Sequence, residues 1–90
     1  MNQPFISIII PVYNVGDYLI NTLKSVIEQT SYDFELLVIN DGSTDQSLSL
    51  AENILQQSHI NYQIFSHLNQ GVGYTRNFGI KHAKGKYISV

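Results

Sequence analysis

The segment Asn40-Asp41-Gly42-Ser43-Thr44-Asp45 places an amide, two carboxylates, a glycine and two hydroxyls directly behind the apolar run Phe34-Glu35-Leu36-Leu37-Val38-Ile39. An exposed carboxylate there, Asp41, can accept a hydrogen bond from a ligand N–H or hydroxyl; the plainer alternative is an acid that tightens its own turn. Pro11-Val12-Tyr13-Asn14 closes an earlier apolar run in the same way. An aromatic ring such as Tyr13 can stack on a flat base, a contact that contributes about 1–3 kcal/mol in single-stranded nucleic-acid complexes. The alternative is a core tyrosine whose hydroxyl caps a strand, and Asn14 reads equally as turn-former and pocket wall. Arg76 and Asn77 follow the glycine-bearing stretch Asn69-Gln70-Gly71-Val72-Gly73-Tyr74-Thr75. A cation on a helix facing the strand ends suits phosphate, against a solvated or sheet-packed arginine. Hydrogen-bond acceptance, an aromatic face and a positive charge are what these three clusters offer a ligand.

The elements that must position them follow from apolar patterning. Phe34 to Ile39 lacks strict alternation and has strand length, the mark of a strand buried on both faces in a parallel sheet. Phe5 to Val12 is a second such run, β-branched and central, with Pro11 expected to stop or distort pairing because it has no N–H to donate. Tyr18, Leu19, Thr22, Leu23, Val26 and Ile27 recur at helical spacing from Asp17, a cap or first-turn acid, to about Gln29. Thr30-Ser31-Tyr32-Asp33 is a polar link. Ser43-Thr44-Asp45-Gln46 fits a capping box with Ser43 as N-cap, and Asp45 suits the first turn of the following helix. That helix carries Leu48, Ala51, Ile54 and Leu55 on one face. Tyr62 to Ser66 is a third, edge-like strand. A third helix runs from about Val72 to Lys84, with small Gly79 and Ala83 turned to the sheet and Gly85 as its closing C′ residue. Lys86-Tyr87-Ile88-Ser89-Val90 begins a fourth strand. The alternation βαβαβαβ predicts an α/β fold, a doubly wound, mostly parallel sheet whose strand ends carry the ligand site.

Three stretches carry a resemblance. Ile8-Ile9-Ile10-Pro11-Val12-Tyr13-Asn14, Asn40-Asp41-Gly42-Ser43-Thr44-Asp45 and Asn69 to Gly79 stand in the order and spacing of the family 2 glycosyltransferases of the GT-A fold. The likeness runs from about Phe5 to Val90. It implies a Rossmann-like half of that fold with strand order 3-2-1-4, and a nucleotide-sugar donor, UDP-linked by the family's habit. It also implies transfer of the sugar with inversion to a saccharide or lipid-linked acceptor in glycan biosynthesis. In such a protein the acid at Asp41 meets the imide N–H of uracil, Tyr13 packs on the base, and the Pro11 backbone lines the same pocket. Arg76 and Asn77 border diphosphate and ribose. The nucleotide-binding candidates are therefore Pro11, Val12, Tyr13, Asn14, Asp41, Gly42, Arg76 and Asn77, with no catalytic residue and no metal ligand assigned. A divalent cation, Mg or Mn, is expected for the parent protein through an acidic motif just past the fourth strand. Residues 1–90 thus read as the N-terminal donor-binding part of a longer domain, inactive alone and able to self-associate through its fourth strand.

Other readings are weaker. Gly71-Val72-Gly73 has Arg76 where a dinucleotide fingerprint needs its third glycine, and it does not follow the first strand. A phosphoacceptor receiver domain needs acids after the first strand, where this chain has Tyr13-Asn14. A non-catalytic nucleotide-binding or regulatory module is the remaining alternative. The 90 residues are 43% hydrophobic and 13% charged, as folded globular chains are. A net charge of −2 gives no basic footprint for nucleic acid. There is no cysteine, so thiolate metal sites are excluded. His59, His67 and His82 lie in different elements and read as surface or loop residues. No signal pattern or membrane-length apolar run is present, so a cytoplasmic protein is expected, with the parent able to sit peripherally at a membrane.

Overall fold

In a computed structural model of the chain, which describes residues 3–28 and 33–89, strands and helices alternate throughout. They are β1 (Ile6–Val12), α1 (Asp17–Ile27), β2 (Phe34–Asp41), α2 (Ser47–Gln56), β3 (Asn61–His67), α3 (Val72–His82) and β4 (Tyr87–Ser89). The four strands are all parallel in the order β3-β2-β1-β4, the expected doubly wound arrangement. Gln29, the link residues Thr30, Ser31 and Tyr32, and Val90 lie outside the described residues.

Every residue of β2 is buried, as a central strand covered on both faces requires. Strand alternation splits its side chains. Phe34, Leu36 and Val38 join Leu19 and Leu23 of α1 and Ala51 and Leu55 of α2 in one cluster. Leu37 and Ile39 join Ile9 on the opposite face, where Phe65, Phe78 and Ala83 pack against them. Leu36 and Leu37 are both fully buried, each contributing roughly 1.5–3 kcal/mol of hydrophobic burial. Gly79 sets how closely α3 approaches: a Cβ there would stand 2.6 Å from Ile9 Cγ2 and 2.9 Å from Ile39 Cδ1. The same alternation puts Glu35 and Asp41 on the α3 face, one near each end of β2, so that face of the strand is apolar only between two buried acids.

Several local expectations are corrected. The capping box does not form: α2 begins at Ser47 and Gln46 holds the N-cap position without a side-chain bond. Asp45 reaches the helix instead, its Oδ1 accepting the Ser47 N–H at 2.9 Å. Pairing does not stop at Pro11; the β1–β2 register runs on through Pro11↔Ile39 to Val12↔Asn40, since proline deletes a donor but keeps its carbonyl. The third helix ends at His82, capped by an extended Ala83, so Gly85 is not its C′ residue. Gly85 is instead a close-approach glycine: a Cβ would lie 2.5 Å from the Ser7 nitrogen. Tyr18 is 75% exposed and contributes nothing to the core face of α1.

Glu35, read from sequence only as part of an apolar run, is 4% exposed. Its Oε2 accepts the Ser7 hydroxyl and the Lys84 N–H, each at 2.6 Å, while Ser7 Oγ accepts the Gly85 N–H at 2.7 Å. A buried carboxylate needs such donors. They fasten the segment leaving α3 to the entry of β1, which aligns β4 beside it.

Candidate functional site

At the other end of the sheet the chain leaves β1, β2 and β3 within one small region. The β1–α1 and β2–α2 connections are tied by side chains acting as backbone surrogates. Asn14 adopts φ 50°, a conformation that asparagine tolerates better than most residues. Its Oδ1 accepts the N–H groups of Thr44 at 2.8 Å and Asp45 at 3.3 Å, and its own N–H donates to Ser43 Oγ at 3.1 Å. Ser47, fully buried, accepts the N–H groups of Val15 and Gly16 at 3.0 Å each. Hydrogen bonds from the Ser47 hydroxyl and then its backbone N–H hold the Asp45 carboxyl below the ordinary aspartate value. Asn40 closes the turn after β2, its Oδ1 accepting the Ser43 N–H at 3.2 Å.

Asp41, expected as an exposed acid, is instead only 4% exposed, because it is the acceptor around which the third connection is wrapped. Oδ1 takes the Gln70 N–H at 2.7 Å; Oδ2 takes the Gly71 N–H at 3.0 Å and the Asn69 side-chain amide at 3.3 Å. That amide also donates to the Asp41 carbonyl at 3.1 Å. Two successive backbone N–H groups on one carboxylate fix the entry of α3. Gly71 makes the turn with φ 94°, and the Thr75 hydroxyl bonds back to its carbonyl at 2.9 Å. Gly42, at φ 70°, lets the loop pass: a Cβ there would come within 2.6 Å of the Asn69 nitrogen.

A cleft of about 300 Å³ opens beside this clamp, lined by Pro11, Val12, Tyr13, Val15, Asp41, Asn69, Gly71 and Val72. The Tyr13 ring is 49% exposed on its rim, a platform available to a flat ligand. Four of the sequence candidates, Pro11, Val12, Tyr13 and Asp41, therefore converge on one cavity. Asn14 and Gly42 stand beside it as loop-shaping residues whose contacts are made to the chain itself. Arg76 and Asn77 do not line this cleft. Both are exposed on α3, and Asn77 borders a separate depression of about 90 Å³ with Tyr74, Phe78 and Lys81.

Sequence reasoning set the Asn69–Asn77 loop as a wall of the pocket, which Asn69 and Gly71 are, but it did not single out Asn69 and it passed over His67. The register pairs Asp41 with His67, and the ring Nδ1 lies 3.4 Å from Asp41 Oδ1. His67 is thus no free surface residue. Among the described residues no three His, Asp or Glu side chains gather as a metal site. The Asp41 oxygens moreover accept N–H donors, so neither Asp41 nor its neighbours fit a divalent cation.

A parallel sheet in this order with a cleft at its strand ends is a Rossmann-like α/β architecture, and the solved structures it superposes on are GT-A glycosyltransferases. The chain belongs to glycosyltransferase family 2, whose sequence profile, Glycosyl transferase family 2, matches residues 7–90. It is 42% identical over 89 residues to an uncharacterized glycosyltransferase of Haemophilus influenzae, covering 99% of this chain and 36% of that protein. It is 32% identical over 85 residues to glycosyltransferase GlyG of Streptococcus pneumoniae, covering 94% of this chain and 28% of that protein. The S. aureus TarS 1–349 structure in complex with UDP-GlcNAc superposes with a TM-score of 0.85 at 32% identity, over 93% of this chain and 25% of that one. A mannosyltransferase of Pyrobaculum calidifontis, solved with GDP-Man and Mn2+, shares the fold at TM-score 0.86 and 22% identity, over 98% of this chain and 27% of that one. The chain spans about a third or less of the length of these proteins.

Proposed function

We propose that these residues form the donor-nucleotide half of an inverting glycosyltransferase that uses a UDP-linked sugar and passes it to a saccharide or lipid-linked acceptor. The observation that carries the reading is the convergence of Tyr13 and Asp41 on one cleft at the strand ends, one an exposed aromatic face and the other an acceptor. The base lies on Tyr13 against Pro11 and Val12. Its imide N–H takes the Asp41 Oδ2 position now shared with the long Asn69 contact, and Asn69 keeps its bond to the Asp41 carbonyl. Donor recognition by TarS, which binds UDP-GlcNAc and is 32% identical over 93% of this chain, supports uracil over other bases. The metal that neutralises the leaving diphosphate in such enzymes has no ligand set among the described residues. The 90 residues supply the nucleotide-binding part of that reaction.

Titration with UDP while following backbone amide shifts tests the site. Shifts centred on Tyr13, Asp41 and Asn69 to Gly71 are expected. Changes confined to the Glu35–Ser7–Gly85 end of the sheet would refute it.

A further inference from the structure

We propose that Asn14 is a positioning residue for Tyr13, a role that rests on the nucleotide reading of the cleft. It does not meet the nucleotide but fixes the base platform against Asp41, by keying the β1–α1 connection to the turn after β2. Tyr13 stands where the sheet lets go of the chain. The last β1–β2 pair is Val12↔Asn40, and Val12 is buried, whereas the Tyr13 ring is half-exposed and enters neither core cluster. Further on, Ser47 Oγ accepts the N–H groups of Val15 and Gly16 at 3.0 Å each. Between these two anchors the chain is held by Asn14.

The tie runs both ways. The Asn14 N–H, which belongs to the peptide directly after Tyr13, donates to Ser43 Oγ at 3.1 Å. Asn14 Oδ1 accepts the Thr44 N–H at 2.8 Å and the Asp45 N–H at 3.3 Å. Ser43 has its own N–H on Asn40 Oδ1 at 3.2 Å, so the turn that receives Asn14 is itself fastened to the end of β2. Residues 43–45 follow Asp41 closely in the chain. Platform and acceptor are therefore built on two segments joined through one side chain. Asn14 reaches this geometry by standing at φ 50°, a left-handed conformation that glycine, asparagine and aspartate adopt more readily than other residues. The part of this connection that lines the cleft is Tyr13 and Val15, on either side of Asn14. Asn14 acts on a ligand through those neighbours.

A stacking platform fixed before the ligand arrives spares binding the cost of ordering it. Fixing the backbone of one residue weighs about 5- to 30-fold in an equilibrium constant. Without the Asn14 side chain, the Thr44 and Asp45 N–H groups turn to water, because both residues are exposed; the fold keeps its core and the Tyr13 ring loses its fixed setting. Two substitutions separate the side chain from the backbone conformation. Glycine keeps the positive φ and deletes the acceptor, whereas aspartate keeps both the conformation and an acceptor oxygen. Uridine is the suitable probe, since it carries the base but no phosphate that an added carboxylate would repel.

The test is a uridine titration read by backbone amide shifts. Asn14→Gly should raise the dissociation constant about 5- to 30-fold, and Asn14→Asp should bind close to wild type. In a Tyr13→Ala background the Asn14→Gly loss should disappear, because it is transmitted through that ring. A direct contact of Asn14 with the ligand, or a general loosening of the site, would cost the same with or without the ring. Ser43→Ala removes the acceptor of the Asn14 N–H and leaves residue 14 intact. It should weaken uridine binding in the same Tyr13-dependent way, with Ser43→Thr restoring it, and this pair decides alone if the residue 14 variants do not fold. Unchanged affinity in Asn14→Gly or in Ser43→Ala, losses that persist in the Tyr13→Ala background, or an Asn14→Asp variant as weak as Asn14→Gly overturns the proposal and leaves the nucleotide site standing. Absence of any uridine response in the wild type overturns both.

Discussion

The Asp41 carboxylate and the backbone N–H of Gln70 meet at 2.7 Å across 29 residues of sequence. With Gly71 on the second oxygen at 3.0 Å, the end of β2 holds the loop that starts α3. Asp41→Asn leaves one oxygen for these donors and turns an amide N–H toward the other. A buried donor left without an acceptor costs about 1–3 kcal/mol. The variant should unfold at lower urea concentration by about that amount and lose the UDP-dependent shifts at Tyr13. A wild-type unfolding midpoint would show that the clamp carries no stability.

Two glycines of α3 should respond to alanine in opposite directions. At Gly79 the new methyl meets Ile9 Cγ2 at 2.6 Å, a methyl on the branched Cβ with little freedom, and overpacking of this kind costs about 1–3 kcal/mol. Nothing lies within 4 Å of a Cβ at Gly73, so alanine there should gain about 0.5–1 kcal/mol of helix propensity. Denaturant unfolding of the two variants beside wild type decides it; shifts of the same sign would contradict the packing described for this face.

Unbroken apolar runs of strand length, separated by segments of helical spacing, made the fold legible. Leu36 and Leu37 had to face opposite layers, and the polar residues after Ile39 and Ile10 had to fall at strand ends. Asp41 and Tyr13 followed from that placement. The capping box was misread because Ser43 is drawn to Asn14 and Val12 across the loops, a contact between segments that local pattern does not encode. His67 was legible only through register, since its partner Asp41 is fixed by β2–β3 pairing and not by spacing along the chain. Glu35 escaped notice because its donors, the Ser7 hydroxyl and the Lys84 N–H, come from distant segments. Arg76 faces solvent, where periodicity carries no information about ligands.

Asp45 supplies a pH test of the loop tie. Its carboxyl is held below the ordinary aspartate value by the Ser47 hydroxyl and backbone N–H. A depressed folded-state pKa contributes stability that is present above the unfolded value of about 3.9 and is lost as pH falls through the folded value. The side chain is exposed, so the effect is small and confined to the acid limb. In a carboxyl-detected NMR titration Asp45 should titrate below the ordinary aspartate value, and Ser47→Ala should move it back up. An Asp45 titration unchanged by Ser47→Ala would exclude this cause.

Tyr13 separates binding from folding most cleanly. Its ring is 49% exposed and forms no part of either core cluster, so Tyr13→Ala should leave the unfolding midpoint near wild type. Stacking of a base on an aromatic ring is worth about 1–3 kcal/mol, which corresponds to a UDP dissociation constant raised roughly 5- to 150-fold. Tyr13→Phe keeps the face and loses only the hydroxyl, so its affinity should stay close to wild type. The pair is read by the same amide-shift titration used for the site. Equal losses in both variants would mean that the hydroxyl, and not the ring face, meets the ligand. Unchanged affinity in Tyr13→Ala would remove the platform from the cleft and leave Asp41 to hold the base through its edge alone.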